Sequence, residues 1–260
     1  MTRFDPKVSI MPKEENMTFT YGEGIFGPVP EHRKLDDIRK SLQDPDCDGP
    51  DTVYSIVMDV GKEKDKRELE ERMLLFGVVT YAKGQLGKEP IRSQGHIHKV
   101  SSHSGWSPPE VYEIWEGEAV IYMQETAKDN PGRCYAVYAS PGDVVIVPPK
   151  WAHATISANP DKPLTFGAWC DREYGFEYED VRAHQGLAWY PVIADDGSLE
   201  WKHNDNYEYT ELIQQTPRRY EEFKIDQDTP IYEQFEADPG KFQFVSKPFL
   251  KEIEWEGFKP

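Results

Sequence analysis

The strongest constraint on this chain is a long series of short strand-like runs. Between about residues 73 and 190, β-branched and aromatic runs alternate with turn signals, among them Leu86-Gly87, Ser107-Pro108-Pro109, Glu116-Gly117, Asn130-Pro131-Gly132, Pro141-Gly142-Asp143 and Asn159-Pro160. Residues 111–124 and 144–147 are the clearest strands, and almost no helical period interrupts the series. Many short strands separated by Gly and Pro predict an all-β antiparallel sandwich or barrel rather than a parallel α/β sheet.

The flanks read differently. Residues 1–25 are polar and punctuated by proline, which predicts an arm laid on the surface or on a partner. From Pro30, apolar residues at 35, 38 and 42, with acids ahead of bases, predict a helix over residues 30–42. A breaker loop at 43–51 leads to a strand at 53–60, and the charged segment 62–72 is either a hairpin connection or a short solvated helix. Residues 204–260 carry eleven aromatics among their acids, too many for a disordered acidic tail. The expected division is an arm at 1–25, a barrel domain at 26–200 and an extension at 201–260 that wraps the core or a neighbouring subunit.

Charge and cysteine usage narrow the function classes. Thirty basic against 47 acidic side chains give a net charge of −17, a field that repels the phosphate backbone of nucleic acid. The longest apolar run, around residues 73–80, is far short of the ~20 residues a membrane-spanning helix needs. No basic start followed by an apolar stretch opens the sequence, so the expectation is a cytoplasmic protein with no membrane partner. Cys47, Cys134 and Cys170 are odd in number and widely spaced, which suits neither a disulfide framework nor a thiolate zinc site.

The residues that carry chemistry are Gly95-His96-Ile97-His98, then Glu110-Val111-Tyr112, then Pro149-Lys150-Trp151-Ala152-His153. Side chains at i and i+2 of a strand share a face, so His96 and His98 can aim two imidazoles into one interior. Glu110 opens the next strand across a Ser/Gly/Pro-rich turn, and His153 follows a turn and a strong strand that lead back to the same cavity. Three neutral imidazoles and one carboxylate suit a borderline dication such as Fe²⁺, Mn²⁺, Ni²⁺ or Zn²⁺ with positions left for water or substrate. His103, in the turn between His98 and Glu110, is the reserve ligand.

At these residues the chain resembles the cupin superfamily and, more closely, the archaeal-type cupin glucose-6-phosphate isomerases. The G-H-x-H…E pattern is common to many cupins, whereas Glu110-Val111-Tyr112 together with Pro148-Pro149-Lys150-Trp151-Ala152-His153 is more specific. The resemblance covers about residues 33–178. It implies a small jelly-roll barrel, usually a homodimer, that isomerises a sugar phosphate in glycolysis and gluconeogenesis. It also implies one divalent metal, Fe²⁺ first among the candidates, on His96, His98, Glu110 and His153. Thr80, Ser93, Gly95, Tyr112 and Tyr178 stand at the family's substrate contacts, with the alignment at Thr80 slipping by about one residue. Three positions depart from the family pattern. Ser157 replaces an expected Asn, Phe176 replaces a pocket histidine, and Cys170 stands where tyrosine is usual.

Isomerisation needs a base for a weakly acidic C–H and something to stabilise charge on O1 or O2. Glu110 is the candidate base, or only a ligand if hydride shifts directly. Tyr112 is either a proton relay or a core aromatic. Arg92, Lys99, Lys150 and Arg172 are the candidate cations for the phosphate. The same donor set also suits an Fe²⁺ dioxygenase, and the same barrel suits a non-catalytic sugar-binding protein or an isomerase of another sugar.

Overall fold

The alternating runs fold into two facing β-sheets in the computed structural model, which describes residues 4–260. The first three residues of the expected arm therefore lie outside the described residues. Ten strands build the sheets: β1 (Glu31–Lys34), β2 (Thr52–Met58), β3 (Leu74–Tyr81), β4 (Glu110–Glu116), β5 (Ala119–Gln124), β6 (Cys134–Ala139), β7 (Val144–Val147), β8 (Ala152–Ser157), β9 (Leu164–Asp171) and β10 (Leu212–Gln215). One sheet has the order β7-β4-β9-β3-β2-β1 and is antiparallel throughout. The other has the order β8-β5-β6-β10, and its β6–β10 pair is parallel, the exception to the antiparallel expectation.

Period-2 alternation sets which side chains meet. Along β3, Leu75, Val79 and Tyr81 face the opposing sheet, while Leu74, Phe76 and Val78 face outward. Both faces are buried, which explains why this strand reads as a continuous apolar run. The inward set joins Ile121, Met123, Tyr135 and Val137 of the second sheet to form the barrel core.

The outward set is covered by the C-terminal aromatics. The Trp169 ring lies 4.7 Å from Phe76, 4.8 Å from Phe235 and 5.5 Å from both Tyr232 and Phe242. Gly167 makes that packing possible, because a Cβ there would lie 2.5 Å from atoms of Phe76 and Trp115. Short helices at Ile231–Ala237 and Gln243–Ser246 carry the covering residues.

The helix expected over 30–42 is mostly replaced. Glu31–Lys34 is an edge strand paired to β2, and helix is confined to Leu35–Ile38 followed by a 3₁₀ turn at Arg39–Ser41. Asp37 Oδ2 accepts the Lys34 backbone N–H at 2.9 Å and caps the helix there, so helix starts only after residue 34. Segment 62–72 resolves into a short helix, Lys66–Glu71. No helix among the described residues is long and apolar enough to cross a membrane.

Candidate active site

Three of the four expected ligands are brought together by backbone pairing. His96 and His153 exchange two hydrogen bonds, His96 N–H to His153 O at 3.1 Å and His153 N–H to His96 O at 3.0 Å. The short strand Ile97–His98 pairs with Phe176–Glu177, so the segment carrying both histidines is held from two sides. Gly95, at φ +88°, turns the chain into that segment, and a Cβ there would strain the backbone and meet Leu187 at 2.9 Å. Glu110 enters from the first residue of β4, anchored opposite Val147.

The result is a tight cluster. One ligand atom from each of His96, His98, Glu110 and His153 lies within 4.8 Å of all the others. His98, Glu110 and His153 are buried and His96 is half-buried.

The hydrogen bonds around the cluster fix what these groups present to one another. His98 Nδ1 donates to Pro108 O at 2.9 Å, and His153 Nδ1 lies 3.2 Å from Trp151 O. Carbonyl partners at Nδ1 leave each neutral ring a lone pair at Nε2. Those Nε2 atoms lie 3.2 Å and 3.4 Å from Glu110 Oε2, acceptor against acceptor. His96 Nε2 is buried with no hydrogen-bond partner among the described residues. Lone pairs converging on a carboxylate oxygen repel unless a proton or cation lies among them, so these residues fit a dication.

Protonation follows the same logic. Burial, reinforced by His153 and His98, pushes His96 well below the usual histidine range and keeps it neutral. Burial alone would raise Glu110, but once a proton sits on the facing His153 or His98 nitrogen, the hydrogen bonds it makes outweigh burial and hold the carboxyl well below its ordinary value. Two further groups close around Glu110: Tyr112 donates to Oε2 at 2.6 Å, and the Cys170 thiol donates to Oε1 at 3.0 Å.

A narrow cavity opens onto the cluster, and it sorts the other candidate residues. Ser93, His96, Glu110, Tyr112 and Tyr178 line it. Thr80 does not. It sits on the outward face of β3, bonded to Thr165 at 3.1 Å, while its neighbours Val79 and Tyr81 face the cavity. A one-residue offset on a strand reverses the face, which is what the slipped alignment at Thr80 amounts to. Gly95 contributes its turn rather than a surface of the cavity.

The expected phosphate cations also fall elsewhere. Arg92 is buried on Glu89 and the Ser41 carbonyl, Arg172 pairs both oxygens of Asp59, and Lys150 lies over the Trp106 ring. None of these, nor Lys99, lines the cavity. His103 bonds Asp171 at 2.8 Å and stands outside the cluster, so it is not a substitute ligand. Phe176, at the departure from the family pattern, packs on His96 at 4.5 Å between ring centroids.

Four polar lining residues were not anticipated: Arg33, Tyr54, Tyr81 and Thr155. The signal for Thr155 was available, since it lies two residues after His153 on one strand and must share its face. The Tyr81 hydroxyl faces those of Ser93 and Thr155, forming a small hydroxyl cluster beside the ligands.

Comparison with known proteins places the chain. The family described as glucose-6-phosphate isomerase (GPI) matches residues 36–210, more than half of the sequence. The chain belongs to this family. Members it resembles include the glucose-6-phosphate isomerase of Thermococcus litoralis, 26% identical over 181 residues that cover 67% of this chain and 86% of the relative. A putative glucose-6-phosphate isomerase 1 of Rhizobium meliloti is 29% identical over 133 residues, which span 51% of this chain and 56% of that protein. Part of this chain thus spans little more than half the length of that relative. Among solved structures, Bacillus subtilis oxalate decarboxylase overlaps at a TM-score of 0.36 and 16% identity, covering 49% of this chain and 28% of the other. That overlap bears on neither activity nor metal.

Proposed function

We propose that this protein is an aldose–ketose isomerase that interconverts glucose 6-phosphate and fructose 6-phosphate, with His96, His98, Glu110 and His153 holding one divalent metal ion. The observation that carries the reading is the convergence of four donors with carbonyl-oriented imidazoles, in a chain of the glucose-6-phosphate isomerase family. Bound there, the ion would supply Lewis-acid stabilisation of negative charge on the sugar's O1 or O2.

The protein's own residues do the rest. Glu110 is the base in this reading. Its Oε2 faces the histidines, so Oε1, which carries only the Cys170 thiol, is the oxygen that takes up the proton from carbon. Tyr112 donates to Oε2 and fixes the rotation of the carboxylate. The hydroxyls of Ser93, Thr155 and Tyr81 offer donors and acceptors to the sugar hydroxyls, and Tyr178 lines the same cavity. Phe176, edge-on to the His96 ring and 5.8 Å from His98 between ring centroids, excludes water from the ligand side.

The proposal extends to Fe²⁺ as the metal, with Mn²⁺, Ni²⁺ and Zn²⁺ as competitors, and to a homodimer. In support of a dimer, β10 ends its sheet and leaves Ile213 40% exposed at that edge. Metal analysis and light scattering read these two points directly.

The central test assays chelated and metal-reloaded protein on fructose 6-phosphate and on free fructose side by side. Metal-dependent turnover of fructose 6-phosphate is expected. Oxygen uptake without isomerisation would transfer the site to a dioxygenase, and sugar binding without turnover in metal-replete protein would make it a binding protein.

A further inference from the structure

His98 and Glu110, two of the four clustered donors, stand at opposite ends of an eleven-residue loop, residues 99–109. Donors that share one ion must keep their places to about 0.5 Å, and a free loop of that length would let its ends move independently. This loop is not free. The His98 imidazole donates to Pro108 O at 2.9 Å, and the Ser107 hydroxyl donates to His98 O at 2.6 Å. Both ends are thereby clipped together, and the clip lies two and three residues ahead of Glu110.

The same hydroxyl reaches the third segment of the cluster. Lys150 donates its backbone N–H to Ser107 Oγ at 3.2 Å. Lys150 has a left-handed backbone, φ +72°, at the turn from which β8 carries His153 into the cluster. A residue with a side chain stays in that conformation only where its surroundings hold it. Ser107 is buried at 3% exposure, so bulk water cannot stand in for either bond. A hydroxyl is suited to the task because one oxygen both donates and accepts.

The far part of the loop is anchored on the end of β9. Asp171, its side chain fully buried, has Oδ2 2.8 Å from His103 Nε2 and Oδ1 3.3 Å from the Ser101 hydroxyl. Glu173 Oε2 accepts the Ser102 N–H at 2.8 Å and its hydroxyl at 2.7 Å. Residues 101–103 are thus fixed to a core strand, which gives Ser107 a rigid base. Ser107 itself does not line the cavity, so it acts on the donors and not on a sugar.

We propose that Ser107 is a positioning residue for the metal cluster, its one hydroxyl setting the mutual placement of His98, Glu110 and His153 and with it the affinity for the dication. This rests on the metal site of the reading given above.

The test uses Ser107→Ala, Ser107→Cys and Ser107→Thr in the full chain, chelated and then titrated with Mn²⁺ in a calorimeter. Mn²⁺ favours nitrogen and oxygen donors over thiolate, so the cysteine variant gains no ligand. Loss of a partner that orients metal ligands weakens binding by about 10–100-fold, and S107A should lose at least tenfold. S107C keeps the volume but bonds weakly and should lose nearly as much, whereas S107T keeps the hydroxyl and should stay within about threefold of wild type. The paramagnetic resonance spectrum of bound Mn²⁺ should change in S107A and S107C and match wild type in S107T, a signature independent of turnover. Trp169→Ala, which loosens the opposite face of β9, is the control for general destabilisation and should leave affinity and spectrum at wild-type values. Affinity and spectrum unchanged in S107A and S107C, or altered equally in W169A, overturn the proposal. Should S107A melt early, S107C decides by the same criteria. Wild type that binds no Mn²⁺ overturns the metal reading and this inference with it, whereas Mn²⁺ bound equally by wild type and S107C overturns this inference alone.

Discussion

Glu110 and Glu113 lie three residues apart on one strand, both buried, yet the two faces of β4 treat them in opposite ways. On the inner face, burial works against the charged form of Glu110, but the two histidines facing it, with a proton or cation among them, prevail and keep it ionised. On the outer face, burial pushes Glu113 up to about 7, and the Ile231 backbone N–H and the Trp115 indole only partly offset it. Depth is similar, so it cannot be what separates them. The difference is the company each carboxyl keeps: convergent imidazoles and a thiol inside, an aromatic clamp outside. The proposed chemistry belongs to the inner face and stability to the outer one.

The largest expected effect would break the inner half of that contrast. Replacing Glu110 with Gln keeps the shape and removes the proposed base, and turnover of fructose 6-phosphate should fall by roughly 10²–10⁴. Solvent deuterium exchange at C2 should vanish while metal analysis still finds the ion. Undiminished turnover would reduce Glu110 to a ligand and leave hydride transfer as the route.

The outer half breaks differently. Trp169→Ala removes the ring that Phe76, Tyr232, Phe235 and Phe242 pack upon, and should cost about 3–5 kcal/mol in urea unfolding. Metal content of the folded fraction should stay at the wild-type level. Loss of both together would mean that the two faces are not independent.

Glu113 sharpens the comparison through pH. Its folded value of about 7 exceeds the ordinary 4.5, so between those values the native state holds a proton that the unfolded chain releases. Stability from this group is therefore present below pH 4.5, falls as pH rises towards 7, and is level above. The shift corresponds to about 3 kcal/mol as an upper bound. Glu113→Gln should flatten the pH dependence of unfolding across that window, at the expense of the Trp115 contact, and an unflattened profile would assign the ionisation elsewhere.

The smallest effect concerns Thr80. Thr80→Val removes its bond to Thr165 on the outward face and should cost about 1 kcal/mol. The KM for fructose 6-phosphate should stay within about twofold of wild type, as expected of a side chain outside the cavity. A tenfold rise would return Thr80 to the substrate site.

What could be read from the sequence follows a physical pattern. The strand runs, the two-residue spacing of His96 and His98, and the return of the chain to His153 are local rules of the pleated strand, and the folded barrel obeys them. Arg33 was hidden because residues 31–34 lie in a segment with helical spacing, and only pairing with β2 makes them a strand. The flanking cations misled for a related reason. Arg92 and Arg172 are close to the motifs along the chain, but Glu89 and Asp59 hold them outside the cavity.

By itself, then, the sequence determined the β architecture, the four donor types that cluster and their order, because strand alternation and donor chemistry are written residue by residue. Tertiary structure alone decided which hydroxyls and which cation, among the described residues, line the cavity. It also decided that two glutamates on one strand titrate in opposite directions. Those outcomes depend on pairing register and on what packs across each face, and neither is encoded at the residue itself.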